Sequence, residues 1–138
     1  MLVKNALMPD SSQVAGFVTE NDSDTIYMVN MLKYRDRAEY ADGRKSNLTG
    51  REAYRLYAEG VRGCLEKVGG GVHFAGEVRR LVIGEVGELW DDIVIAVYPN
   101  RAAMLQMMQL PEMAEIGEHR SAGLAGQLNI ETVMSPDF

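Results

Sequence analysis

Little in this 138-residue chain can staple a fold together covalently or through a metal. There is one cysteine, Cys64, so no intrachain disulfide is possible, and a reduced, cytoplasmic protein is the expectation. Two histidines, His73 and His119, leave too few nitrogen and sulfur donors for an ordinary zinc centre, so no metal and no cofactor are expected. Positive charge is also scarce. Fourteen Lys and Arg against twenty Asp and Glu give a net charge of −6, which excludes the basic face that nucleic acid requires. No apolar run approaches a membrane span, no helix is dense in Lys and Arg, and the opening MLVKNALMPDSS lacks the regions of a signal peptide. Neither a nucleic-acid nor a membrane partner is expected.

What the chain does have is a strand at Thr25–Arg35, TIYMVNMLKYR, apolar on both faces through its middle. Ile26, Met28, Asn30, Leu32 and Tyr34 share one face, and Tyr27, Val29, Met31, Lys33 and Arg35 the other. Such a pattern suits a central strand covered on both sides. Asn30 is its polar exception: a buried amide must find hydrogen-bond partners or face a cavity.

Around this strand the pattern predicts a short helix over residues 9–19, capped by Asp10 or Ser11, then a break at Asn21–Asp24. A long polar loop follows Arg35, flanked by Tyr34 and Tyr40 and able to serve as a lid. Thr49-Gly50-Arg51-Glu52 is a capping box that opens a helix reaching about Val68, stopped by Gly69-Gly70-Gly71. An edge strand over Val72–Ile83 with a bulge at Gly76 is expected next, and then a second central strand at Asp91–Tyr98. Pro99-Asn100 caps a third helix with Met104, Leu105 and Met108 facing inward, and Pro111 opens a fourth, closed by Gly126. Leu128–Met134 alternates as a last edge strand.

The order β-α-β-β-α-β with strands one and three central is that of an α+β, ferredoxin-like antiparallel sheet of order 4-1-3-2. The expected organisation is an N-terminal helix and linker over 1–24, the sheet domain over 25–134 and a tail over 135–138. Helices on one side would leave the other sheet face bare, so a homodimer through that face is the expected partner arrangement.

Several segments, in order, resemble a bacterial family of uncharacterised proteins, the domain-of-unknown-function family thirteen-thirty of the dimeric α/β-barrel superfamily. They are Met28-Val29-Asn30-Met31-Leu32-Lys33-Tyr34, Thr49-Gly50-Arg51-Glu52-Ala53-Tyr54, Trp90-Asp91, Tyr98-Pro99 and Glu118-His119-Arg120. The resemblance implies a face-to-face dimer with a cavity between sheet and helices. Superfamily members include cofactor-free quinol monooxygenases, lactone isomerases, haem-binding enzymes and stress-responsive proteins, so it constrains chemistry only weakly.

Candidate site residues follow from residue type and placement. Asn30 can orient a ligand carbonyl or phenol, or merely fix strand register. His119 can act as a base, with Arg120 beside it to hold a carboxylate or an enolate. Adjacent helical residues diverge, however: Arg120 falls on the buried stripe with Ile116 and Leu124, and His119 falls four after Glu115. Tyr54 and Tyr57 lie on the buried stripe of the long helix, where aromatic residues are core but hydroxyls can line a pocket. Trp90 is a further ligand-binding candidate, with a hairpin anchor as its plainer role. His73 and the nine methionines read as ordinary packing residues first. Together these suggest a cofactor-independent monooxygenase or isomerase for a small aromatic or lactone-like molecule. The alternative is a non-catalytic dimeric module that binds a small hydrophobic metabolite or only assembles.

Overall fold

The computed structural model describes residues 1–19 and 23–138, so Asn21 and Asp22 of the expected break lie outside the described residues. Along the chain run α1 (Ser11–Thr19), β1 (Ile26–Tyr34), α2 (Gly50–Lys67), β2 (Gly71–Glu77), β3 (Asp92–Tyr98), α3 (Arg101–Met108), α4 (Pro111–Gly123) and β4 (Leu124–Thr132). The strands form one antiparallel sheet in the order β2-β3-β1-β4, the ferredoxin-like arrangement expected from the sequence.

The helix starts follow from local hydrogen bonding. Thr49 Oγ1 accepts from the Glu52 amide at 3.1 Å while Glu52 Oε1 accepts from the Thr49 amide at 3.0 Å, which satisfies two amides that the α2 N-terminus would leave open. Asn100 Oδ1 caps α3 by accepting from the Ala103 amide at 2.8 Å, and Asp10 Oδ1 does the same for α1 from Gln13 at 2.8 Å.

The core lies on one face of the sheet. Ile26, Met28, Ala96 and Tyr98 point from the strands toward Cys64 and Leu65 of α2 and Ala103 and Met107 of α3. On the opposite face the registry aligns Tyr27, Val29 and Met31 of β1 with Val97, Ile95 and Ile93 of β3 and with Thr132, Ile130 and Leu128 of β4. None of these joins the core, and Phe74 and Ile130 stand 52% and 45% exposed. Among the described residues this face is apolar and uncovered.

Where α2 begins, its backbone is in near contact with the end of α4. A Cβ built on Gly50 would lie 2.1 Å from the Arg35 carbonyl oxygen, and one on Gly123 would lie 2.4 Å from the Gly50 carbonyl oxygen. Only glycine fits at either place. This contact fixes how Tyr54, one turn into α2, sits relative to Arg120, the last turn of α4.

Four expectations are corrected. β2 ends at Glu77, not Ile83, and the segment after it is a loop in which Val82 and Ile83 stand 83% and 89% exposed. The β2 irregularity lies between Val72 and Phe74, at His73, not at Gly76. Gly76 instead leaves room for the Phe74 ring, whose Cζ would be 2.8 Å from an added Cβ. In α3 the fully buried apolar residues are Ala103 and Met107; Met104 packs against the core as expected, but Met108 stands 51% exposed. Finally, α4 stops at Gly123, and Leu124 and Gly126 already belong to β4.

Residues 5–8 are more than a linker. Ala6 pairs with Gln127 through two backbone hydrogen bonds of 3.1 and 2.9 Å, which lays the N-terminal segment along the outer edge of β4. An open strand edge is thereby covered.

Candidate functional site

Asn30 sits mid-strand on the helix-facing side of β1, and its amide is fully engaged. Its Nδ2 donates to the carbonyls of Met28 and Val94, each at 3.1 Å, and its Oδ1 accepts from Gln127 Nε2 at 2.7 Å. Gln127 Oε1 in turn accepts from Arg120 Nη2 at 2.6 Å, and the same Nη2 donates to the Leu7 carbonyl at 2.9 Å. A relay therefore runs from the β1 and β3 backbone through Asn30 and Gln127 to the guanidinium of Arg120.

Arg120 is half-buried, and its hydrogen-bond acceptors are a neutral amide and a neutral carbonyl. Among the described residues no carboxylate forms an ion pair with it. A partly desolvated cation without a counter-charge is costly to the fold and favours an anion from outside. Tyr54 and Tyr57 lie within its electrostatic reach. Burial raises the phenol pKa of both, and the nearby Arg120 only partly offsets it, so both stay protonated at neutral pH. Their hydroxyls make no hydrogen bond to the described residues, and the sole fully buried, unbonded side-chain polar atom among those residues is Arg35 Nε. Neither phenol oxygen is among the fully buried atoms, so both hydroxyls reach solvent and are open to donate to a bound molecule.

Tyr34 continues this wall toward solvent. Its ring tilts against Tyr54 at 5.5 Å between centroids, and Tyr54 against Tyr57 at 5.3 Å. The Tyr34 hydroxyl donates to Asp92 Oδ2 at 2.6 Å. Arg51 Nη1 lies 3.0 and 2.9 Å from the two oxygens of Asp92, while its guanidinium lies 4.7 Å from the Tyr34 ring centre. Burial first, and then the bond to anionic Asp92, raise the Tyr34 pKa far above that of a free phenol. Tyr34 and Arg51 line a cleft of about 620 Å³ together with Lys33, Arg35, Thr49 and Asp91. Asp91 accepts from the Tyr34 amide at 2.8 Å, a backbone anchor of the kind its place before β3 suggests.

The sequence-derived candidates therefore divide. The fold brings Asn30, Tyr54, Tyr57 and Arg120 to one place. His119 is not with them: its Nδ1 lies 2.6 Å from the Tyr40 hydroxyl, and the two rings meet edge-on at 5.5 Å. That contact, and not an i, i+4 pair with Glu115, is its partnership, and it pins the long loop to α4. Arg44 adds to the same clasp by stacking on Tyr40 at 4.5 Å and pairing with Glu118 at 2.6 Å. A second cavity, of about 470 Å³, lies here among Leu7, Arg35, Tyr40, Arg44, Ala114 and Gly117. Trp90 is also apart, its Nε1 donating to Asn5 Oδ1 at 2.8 Å, so it ties the loop before β3 to the N-terminal segment. His73 makes an edge contact with Tyr27 at 5.1 Å on the opposite face of the sheet.

Sequence reasoning missed Gln127 and the Tyr34–Asp92–Arg51 group. Starting β4 at Leu124 would have placed Gln127 opposite Leu32 on the helix side, so the signal lay in the strand boundary. Nothing local links Arg51 to Asp92, 41 residues away. Among the described residues no three His, Cys, Asp or Glu side chains gather as a metal-binding group. No helix is long and apolar enough to cross a membrane.

No protein-family model matches the chain. None of the curated proteins matches it either. Among solved structures, the RPA0582 protein of Rhodopseudomonas palustris, of unknown function, is 30% identical with a TM-score of 0.86, over 96% of this chain and 100% of that one. The methylated form of RPA0582 gives 32% identity and a TM-score of 0.87, over 97% and 98%. A dimeric ferredoxin-like protein of unknown function from Jannaschia sp. CCS1 shares the fold at a TM-score of 0.53 and 10% identity, over 80% of this chain and 99% of that one. With that identity spread over both chains almost end to end, the protein belongs to the family of RPA0582.

Proposed function

We propose that this protein is a homodimer, joined through the open sheet face, whose subunits each bind a small aromatic or lactone-like molecule against Arg120, Tyr54 and Tyr57. The observation that carries the reading is the Arg120 guanidinium, held in place by Gln127 and Leu7, without a carboxylate partner and beside two protonated phenols. Such a group of donors suits a carbonyl, a carboxylate or an oxyanion that develops during reaction. Asn30 acts at one remove, by fixing Gln127.

The uncovered row of Tyr27, Val29, Met31, Ile93, Ile95 and Val97 supports the homodimer, since a monomer would leave this patch in water. The motif resemblance to the domain-of-unknown-function family thirteen-thirty supports a place in the dimeric α/β-barrel superfamily. A single cysteine, buried in α2, supports a cytoplasmic location. On this basis the favoured chemistry is that of a cofactor-independent monooxygenase or isomerase, with Arg120 stabilising a phenolate or enolate and a tyrosine as proton donor.

The test is a panel of quinols, catechols, lactones and benzoates, read by calorimetry, oxygen uptake and absorbance. Arg120→Gln should lose at least about tenfold in affinity, a loss of about 1.4 kcal/mol, with the circular dichroism unchanged. A second reading, a dimeric module that binds without catalysing, draws on the placement of His119 against Tyr40, away from the phenols. Binding without turnover across the panel decides for that reading, and unchanged affinity in the variant removes Arg120 from the site.

A further inference from the structure

Both hydrogen bonds of the Arg120 guanidinium leave from Nη2, to the Leu7 carbonyl at 2.9 Å and to Gln127 Oε1 at 2.6 Å. Among the described residues Nη1 and Nε have no partner, and neither is fully buried, so these two nitrogens stay open to a bound molecule. Residues 5–8 bear on this clamp twice, because Ala6 also pairs with the backbone of Gln127. Little else fastens them. Beyond that one bridging pair, Asn5 Oδ1 accepts from Trp90 Nε1 at 2.8 Å in an exposed position, and the residues on either side of Leu7 are exposed. Gly126 supplies the seat. A Cβ built on it would lie 2.6 Å from Asn5 Cβ, and the three nearest atoms it would meet all belong to the Asn5 side chain.

We propose that residues 5–8 are a strap whose docking on Gly126 positions Arg120 for its ligand. Docked, the strap lends the Leu7 carbonyl as a second anchor for Nη2 and leaves Nη1 and Nε for a carboxylate or oxyanion. Released, it leaves the guanidinium on Gln127 alone, free to turn out of place. This rests on the binding site proposed above and makes Asn5 and Leu7 positioning residues for it. A segment held by so few backbone hydrogen bonds and so little buried apolar surface opens more readily than the sheet it lies against. Binding and docking are then linked: a carboxylate on Arg120 tightens the strap by the same factor as the strap tightens the carboxylate.

The experiment reads benzoate affinity by isothermal titration calorimetry and the exchange of the Ala6 and Gln127 amides by NMR, both on the full chain. Gly126→Ala crowds Asn5 and should speed exchange at Ala6 about tenfold while weakening benzoate about fivefold. Asn5→Gly in the same chain removes the crowded atoms and should return the affinity to within about twofold of wild type. General damage to β4 would not be rescued in that way. In the unaltered protein, saturating benzoate should slow exchange at Ala6 by the same factor of about five, and Arg120→Gln should abolish the slowing. That wild-type comparison stands alone should Gly126→Ala fail to fold. If Gly126→Ala frees the strap but benzoate still binds equally well through Arg120, the strap inference is overturned and the site survives. If benzoate does not bind the wild-type chain, both fall.

Discussion

The two faces of the sheet differ in a way that runs against a water-facing protein. The face turned toward the helices, which should be greasiest, carries Asn30, Gln127, Asp92 and Glu131 among its core residues. The uncovered face carries Tyr27, Val29, Met31, Ile93, Ile95 and Val97 in unbroken rows. Each of the four polar residues is bonded: Asn30 to backbone and Gln127, Gln127 also to Arg120, Asp92 to Tyr34 and Arg51, and Glu131 to Arg101 through two contacts of 2.6 Å. That is the condition under which polarity can be buried. The difference teaches that the covered face is where chemistry can be held in place, and the bare face is the one the proposed homodimer would cover.

The largest effect expected is on the bare face. Met31→Lys places a cation in the proposed interface twice per dimer, which should weaken association by about 4 kcal/mol, or about a thousandfold in dissociation constant. Analytical ultracentrifugation measures this. A wild-type chain that sediments as a monomer at micromolar concentration would collapse the contrast between the faces altogether.

Next is the covered side. Gly50→Ala forces a methyl against the Arg35 and Gly123 carbonyls and should cost about 3 kcal/mol in denaturant unfolding. Ligand affinity should fall with it, since the same contact sets Tyr54 against Arg120. Asn30→Leu strands two strand carbonyls and Gln127 and should cost about 2 kcal/mol. Affinity should drop in parallel while the dimer persists, and retained affinity would reduce Asn30 to a register pin.

The buried phenols predict an alkaline limit. Tyr34, Tyr54, Tyr57 and Tyr98 all have pKa values raised by burial above the ordinary 10.0. Below pH 10 native and unfolded chains are alike in holding these protons, so stability is independent of them. Above it the unfolded chain loses protons first, and stability falls as pH rises. Melting temperature followed from pH 8 to 11 should drop steeply past about 10, and less so in Tyr98→Phe. The smallest effect is on the outer clasp. Tyr40→Phe removes the bond to His119 and should cost within about 1 kcal/mol, with ligand affinity unchanged. A large loss of affinity there would bring His119 back into the site.

Much of this was legible in the chain itself. Apolar runs at Ile26–Tyr34 and Asp92–Tyr98, greasy on both faces, mark both central strands, and the Thr49–Glu52 capping box marks the start of α2, because neighbours in sequence fix strand faces and helix caps. The divergence of Arg120 from His119 was equally local, a matter of helical phase. The ends of β2 and α4 were not legible. Strand pairing and helix contacts decide them, and no residue between Val78 and Ile83 forbids an extended backbone.

Sequence by itself determined the element order, the two apolar central strands and the chemical inventory, since those depend on side-chain type and on spacings of a few residues. Only the tertiary structure decided which of those side chains meet. Gln127 reaches both Asn30, 97 residues away, and Arg120, and Arg51 reaches Asp92 across 41 residues. Such contacts arise from the packing of α2 and α4 on the sheet, which brings distant segments to within hydrogen-bonding distance where no local rule does.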